Sequence, residues 1–192
     1  MNSPSSPTLP VLTLPVLTLR DQTAADLPTL HRWLHAEAEP QWRRWDGPYF
    51  QRSKQEPVTF EVYAAREAAQ PDDGHQQIIA LNGECIGFIN RHEEAPVGGG
   101  WWELGIVIFD PAYWSGGYGT RALELWVTTT FRDTAAHVFT LTTWSGNLRM
   151  CRAAERVGLR ECARIPEARS WDGRRWDSLK FGVLRREWEE RA

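Results

Sequence analysis

Three cysteines in 192 residues, Cys85, Cys151 and Cys162, are too few and of the wrong parity for a disulfide framework, and none stands in Cys-x-x-Cys spacing. That usage indicates no zinc site and implies a reducing, cytoplasmic setting. Lysine is scarcer still: only Lys54 and Lys180 stand among 22 basic residues, a bias that genomic base composition explains as well as function does. There is no excess of positive charge. A net charge of −3 argues against general nucleic-acid binding. Residues 1–19, MNSPSSPTLPVLTLPVLTL, lack any charged side chain. Their prolines break the apolar run and no basic segment precedes it, so neither a signal peptide nor a membrane span is expected. The glycines at 116, 117 and 119 are not followed by Gly-Lys-Ser/Thr, which excludes a nucleotide-binding P-loop.

What is present is aromatic and unevenly charged. Eleven tryptophans suit a thick core, a large aromatic cleft or a subunit interface. Residues 21–104 hold 14 Asp/Glu and 7 Lys/Arg, a balance of −7; residues 105–192 hold 11 and 14, a balance of +3. Such a division fits a polyanionic cofactor meeting a cationic acceptor, or chance segregation of solvated faces. His31 and His35 lie four apart on an expected helix without a third ligand nearby, so no metal is expected.

Along the chain, residues 1–15 read as a flexible tail containing the repeat TLPVL-TLPVL-TL, and 16–192 as one domain whose first strand lies near 16–20. Thr23 and Asp26 mark a helix start, with Leu27, Leu30, Trp33 and Leu34 on one face. EPQWRRWDGPYF (39–50) reads as a short helix and a turn, and residues 57–69 as a second helix. Asn82-Gly83 and Asp172-Gly173 each predict a tight hairpin. WWELGIVIFD is a strand, GTRALELWVTTTF a helix, HVFTLTTW a buried strand and NLRMCRAAERVGL a helix stopped by Gly158. The fold class is α/β (α+β): a mixed, mostly antiparallel sheet of about seven strands flanked by about four helices, in the order β-αα-β-β-β-α-β-α-β-β.

In this order, LRDQTAADLPTLHRWL, ELGIVIFDPAYWSGGYGTRALEL, NLRMCRAAERVGL, the Asp-Gly hairpin and a terminal REW resemble the GNAT superfamily of acyl-CoA-dependent N-acetyltransferases over residues 17–188. The likeness is nearest to the bacterial branch that includes the ribosomal-protein N-terminal acetyltransferases. It implies acetyl-CoA as cofactor, with a small-molecule amine or a protein N-terminus as acceptor and a monomer or homodimer. No nucleic acid or membrane partner is implied. A non-catalytic acyl-CoA-binding sensor or scaffold of the same fold is the alternative.

The resemblance makes Trp114, Ser115, Gly116, Gly117, Tyr118, Gly119 and Thr120 the pyrophosphate loop, with Trp114 where Gln or Arg is usual. The physics agrees, since backbone N–H groups at a helix head suit a diphosphate and glycine lets it approach. Without its neighbours the same stretch would be only a glycine turn. Val107, Ile108 and Phe109 would pair their backbone with the cofactor's pantetheine arm. Asn147 would touch that arm or cap its helix. Arg121, Arg149 and Arg152 are candidates for phosphate contacts.

For the chemistry, Glu103 is the candidate base, eleven residues before Trp114 as in the histone-acetylating branch; otherwise it is an exposed acid at a strand start. Asp46 and Glu84 are weaker candidates. The tyrosine that many members carry seven residues after the motif Asn is Ala154 here, leaving Ser145 or water to assist the leaving thiol. Trp33, Trp45, Asp46, Tyr49 and Trp102 fall in segments that would approach an aromatic acceptor pocket suited to a cationic amine.

Overall fold

The computed structural model describes residues 15–50, 58–70 and 73–191. The tail expected over 1–15 lies almost wholly outside them, as does Pro57.

Seven strands form one sheet: β1 (Leu17–Arg20), β2 (Gln76–Leu81), β3 (Glu84–Glu93), β4 (Trp101–Ile108), β5 (Val138–Trp144), β6 (Arg160–Trp171) and β7 (Arg174–Leu184). Their spatial order is β1-β2-β3-β4-β5-β7-β6. Every neighbouring pair is antiparallel except β4 with β5. The helices are α1 (Leu27–His31), prolonged by a wider turn over Arg32–Ala36, then α2 (Phe60–Ala69), α3 (Tyr118–Asp133), α4 (Leu148–Val157) and the terminal α5 (Arg185–Glu189). The second helix thus begins three residues later than its sequence suggests, where Thr59 accepts a hydrogen bond from the Val62 N–H and caps it. Among the described residues no helix is long and apolar enough to cross a membrane.

The turns follow from residue chemistry. Asn82 and Gly83 have φ of 51° and 89°, and Asp172 and Gly173 have 51° and 68°. Two successive residues at positive φ make the tight turn whose twist matches paired strands, and Asn or Asp followed by Gly tolerates it. Strand alternation then sorts side chains to two faces. On one face Ile79, Ile89, Leu104, Phe139, Leu141, Leu179 and Phe181 pack with Leu123, Trp126, Val127 and Phe131 of α3 and Ala154 and Val157 of α4. On the other, Ile78, Ala80 and Phe109 pack with Leu30, Trp42 and Tyr63. Both faces are therefore covered at the centre of the sheet, and what remains open is a gap within the sheet itself.

The two histidines serve this second core. His31 contacts the Val58 carbonyl through Nε2 at 2.7 Å, and His35 lies 5.1 Å from the Tyr63 ring. Burial lowers the pKa of His35. Among the described residues no group of three or more His, Cys, Asp or Glu is placed to hold a metal ion.

The start of α1 is fastened by a buried carboxylate. Asp26 accepts two 2.7 Å hydrogen bonds from Arg20 and two more from the Thr23 N–H and hydroxyl. The Arg20 hydrogen bonds hold its carboxyl below the usual range, against the opposing effect of burial. Because the folded-state value is lowered, this stabilisation is complete above the unfolded value of about 3.9. It is lost as pH falls through the folded value. Asp26→Asn is therefore expected to lower the urea midpoint at pH 7 and to make the acid limb of stability below about pH 4 shallower. An unchanged acid limb would show that the pair contributes nothing to folding.

Candidate active site

β4 and β5 part company halfway along. They pair from Trp101 with Val138 to Leu104 with Leu141, and no further. Beyond that point β4 stays bonded to β3 on its other side as far as Ile108. β5 stays bonded to β7 as far as Trp144. Each strand holds its outer partner, so the sheet opens into a V. Residues 105–108 and 142–144 line a cleft of about 700 Å³ within it. A parallel pair joined only by a long crossover can separate in this way without breaking any hairpin.

The head of α3 closes one end. Gly117 caps the helix in the left-handed region, φ 75°, where a side chain would be strained. A Cβ there would meet no atom within 4 Å, and one on Gly119 would meet only Ile108 Cδ1 at 3.7 Å. The first bond inside the helix runs from the Arg121 N–H to the Gly117 carbonyl at 3.0 Å. The N–H groups of Tyr118, Gly119 and Thr120 precede it and have no acceptor within the helix. Together with the helix dipole they form an anion site with room in front of it. Behind it stand Arg149, Arg152 and Arg156, which the helical repeat places on one face of α4 and which all line the cleft. The amides, the open space and the arginines fit a diphosphate-bearing carrier, and the unpaired edge of β4 fits an amide-containing arm.

Trp114 repays attention at the position where Gln or Arg is usual. Its indole N–H donates to the Ile108 carbonyl at 2.8 Å, tying the loop to the end of β4. Its ring stands edge-on to Trp45, at 6.5 Å and 89°. The Arg149 guanidinium lies 4.7 Å from one ring centre and 4.8 Å from the other. A cation held by two indoles is attracted to both ring faces and ordered by them. The substitution thus exchanges a polar side-chain contact for a fixed loop and a placed arginine.

The segment 41–50 roofs the cleft and meets the loop through Trp45. The Trp45 carbonyl accepts hydrogen bonds from Trp144 Nε1 at 3.2 Å and Asn147 Nδ2 at 3.1 Å. Tyr49 stands edge-on to Trp144, 6.0 Å away. Trp45, Asp46 and Tyr49 all line the cleft beneath this roof. Asn147 performs its capping role as well, its Oδ1 accepting from the Met150 N–H at 3.1 Å.

The structure therefore brings together most of the residues expected to meet the cofactor: Val107, Ile108, Trp114, Ser115, Gly117, Gly119, Thr120, Asn147 and Arg152 line the cleft. Several others require correction. Phe109 points the opposite way from a slot residue: it is fully buried among Trp33, Trp42 and Phe88, and its N–H bonds to the Ile86 carbonyl. Gly116 lies outside the lining, and Tyr118 offers the anion site its backbone N–H alone, its ring being turned to Tyr113. Arg121 pairs with Glu124 on the surface. Trp33 stacks on Phe109, and Trp102 is buried against His75 and Arg91. Neither reaches the cleft.

The expected chemical residues also sit elsewhere. Glu103 is buried where β4 and β5 are still paired, short of the split. It accepts a hydrogen bond from Thr140 and forms a 2.9 Å ion pair with Lys180, whose ammonium lies 4.8 Å from the Trp101 ring centre. The Ser145 hydroxyl accepts from the Asp177 N–H at 2.9 Å and is spent on the β5–β7 junction. Conversely, Arg156 and Arg169 line the cleft and were not singled out from the sequence. Arg156 was detectable as the next member of the Arg149–Arg152 face. Arg169 had no sequence signal, since only the pairing of a distant hairpin brings it here.

Amides at a helix head, arginines on α4 and an opened strand edge fit what a coenzyme A-dependent acyltransferase requires of its cleft. A family model described as an acetyltransferase (GNAT) domain matches residues 16–160, and the chain belongs to that family. It is an acetyltransferase whose cosubstrate is acetyl-CoA. Solved structures share the fold. Spermidine N-acetyltransferase from Vibrio cholerae, in complex with CoA and spermine, aligns with a TM-score of 0.69 at 18% identity, over 90% of this chain and 98% of that one. An aminoglycoside acetyltransferase in complex with coenzyme A aligns at 0.66 and 19%, over 92% and 100%. A GNAT-family acetyltransferase from Bacillus anthracis aligns at 0.64 and 18%, over 89% and 96%. No curated protein matches the chain.

Proposed function

We propose that this enzyme acetylates the primary amine of a small molecule by direct attack within a ternary complex. The split between β4 and β5 carries this reading, because it joins an anion cradle at the head of α3 to an aromatic lining of Trp42, Trp45, Tyr49 and Trp144. The aromatic lining, with room for one alkyl ammonium beside Asp46, favours a small acceptor over a protein N-terminus, the acceptor that a ribosomal-protein branch would imply. The cosubstrate supplies an activated acetyl carbon. Everything else is asked of the chain.

An alkyl amine with a pKa of about 10.4 is protonated at neutral pH and must lose a proton before its nitrogen can attack. Among the described residues Asp46 is the acid that lines the cleft. It holds the ammonium and takes its proton, directly or through water. Peptide groups alternate along β4, and the Phe109 N–H bonds β3, so the N–H groups of Ile106 and Ile108 face the strand that has moved away; they stabilise negative charge on the carbonyl oxygen as the C–N bond forms. The C–S bond then breaks as the nitrogen sheds its second proton to water, leaving a neutral amide and a thiolate that water can protonate. A thiolate whose acid has a pKa of about 8.5 departs without a dedicated proton donor, consistent with Ala154, which is wholly buried.

Asp46→Asn tests this assignment. The turnover rate is expected to fall by about 100-fold or more with the acetyl-CoA dissociation constant unchanged. A rate within about threefold of the parent would remove Asp46 from the proton transfer.

A further inference from the structure

The acceptor end of the cleft contains a second charge that amine binding alone does not explain. Arg169 comes from β6, beside an irregularity in its pairing with β7 between Ile165 and Arg169. That irregularity is built rather than loose. Glu167 adopts φ 54°, and its N–H donates to the Asp177 carboxylate at 3.0 Å. Arg164 donates to the same carboxylate. The guanidinium of Arg169 is thereby delivered over the Tyr49 ring, 4.7 Å from its centre, and over Phe50 at 5.4 Å.

Its polar partners are incomplete. Nη2 donates to Ser178 Oγ at 3.2 Å, and that is its one hydrogen bond among the described residues. Nε is buried without a partner, and no carboxylate among the described residues pairs with the group. Nη1 makes no hydrogen bond among the described residues, so the guanidinium, which lines the cleft, keeps donors for a ligand. Rings on one side and a serine on the other fix the orientation of the planar fork, and such a fork matches a carboxylate in two places.

The charge inventory agrees. Arg149, Arg152, Arg156 and Arg169 line the cleft against Asp46. The first three come from α4, with Arg149 held between Trp114 and Trp45, whereas Arg169 comes from β6 and stands over Tyr49. A polycation, of the kind bound by the spermidine enzyme, would meet an unpaired arginine there. A molecule with one positive and one negative group would meet Asp46 and Arg169 together.

We infer that the acceptor is an amine that also bears a carboxylate, an amino acid or a close relative, with its ammonium at Asp46 and its carboxylate at Arg169. This rests on the reading of the cleft as an N-acetyltransferase site and narrows its substrate class.

The test is a thiol-release assay with acetyl-CoA and the full-length chain. The twenty protein amino acids are set against their decarboxylated amines and against spermidine. At least one amino acid is expected to exceed its decarboxylated partner by about 10- to 100-fold in kcat/KM. Arg169→Gln should erase most of that ratio by raising KM for the amino acid, and Arg169→Lys should restore part of it. Acetyl-CoA affinity, measured by calorimetry, serves as the check that both variants are folded. Preference for decarboxylated amines or spermidine would overturn the carboxylate assignment while leaving N-acetyltransfer standing. An amino-acid preference untouched by Arg169→Gln would also overturn it. Absence of thiol release with every amine in the panel would overturn both.

Discussion

Gly117→Glu is expected to weaken acetyl-CoA binding by about 100-fold or more, equivalent to about 2.7 kcal/mol, while the protein remains folded. Gly117 heads α3 at φ 75°, and nothing lies within 4 Å of where its Cβ would be. The added Cβ would therefore meet no protein atom, and the side chain beyond it would bring volume and negative charge to the amides proposed to receive the diphosphate. The left-handed backbone costs a non-glycine residue about 1–2 kcal/mol, so a melting temperature lower by several degrees is also expected. Gly117→Ala separates the two effects. It shares the backbone cost without the charge, and its loss of affinity should be much smaller. Equal affinities for Gly117→Glu and the parent would show that the head of α3 is not the cradle.

Lys180→Ala is expected to be among the most damaging single changes to stability, at about 3 kcal/mol. The lysine is only partly shielded, its side chain 26% exposed, whereas Glu103 is 8% exposed. Removing the lysine strands a buried carboxylate with one hydroxyl, Thr140, which is itself already bonded by Trp101 Nε1 at 2.7 Å. Replacing both ends at once is a different matter. Glu103→Leu with Lys180→Met removes the charges together, and such exchanges are often neutral or stabilising because the desolvation cost disappears. Urea titration of the two single variants and the double variant should show strong coupling, with the double variant more stable than either single one. Additive losses would mean that the pair is not an energetic unit. The same series bears on chemistry: turnover should fall far less in Glu103→Gln than in Asp46→Asn.

Glu103 marks the limit of what the sequence could say about this site. Its position on the central strand and its face were readable from alternation, and both suggested a cleft residue. What decided its environment was the point at which β4 and β5 stop pairing, a property of two strands about forty residues apart together with the lysine on a third. No local pattern encodes that. By contrast, Asn82-Gly83, Asp172-Gly173, the Asn147 cap and Gly158 each impose their backbone from one or two residues, and these were legible in place. The turn at Gly117 was legible too, since glycine admits the left-handed φ of 75° that heads α3. Phe109 shows the same boundary at finer scale: one residue past the end of β4, it leaves the slot edge and enters the second core. Arg169 was the least legible of all, since its place depends on the irregular pairing of β6 with β7. Among the described residues, the arginines that line the cleft come from the second half of the chain, where positive charge is in excess.

Trp114 gives a related lesson about departures from a family pattern. Loss of a polar residue at the loop start suggested a weakened contact, but the indole bonds the Ile108 carbonyl and orders Arg149 between two rings. The deficit at one side chain is met by a neighbour from α4 and by Trp45 in the roof.

The most direct test of the whole account is a structure determined with coenzyme A bound. The account predicts its diphosphate within hydrogen-bond distance of the N–H groups at 118–120, its pantetheine arm along residues 105–108 and its thiol directed under the roof toward Asp46. Coenzyme A bound outside the split, or in the split with its thiol turned away from Asp46, would contradict it.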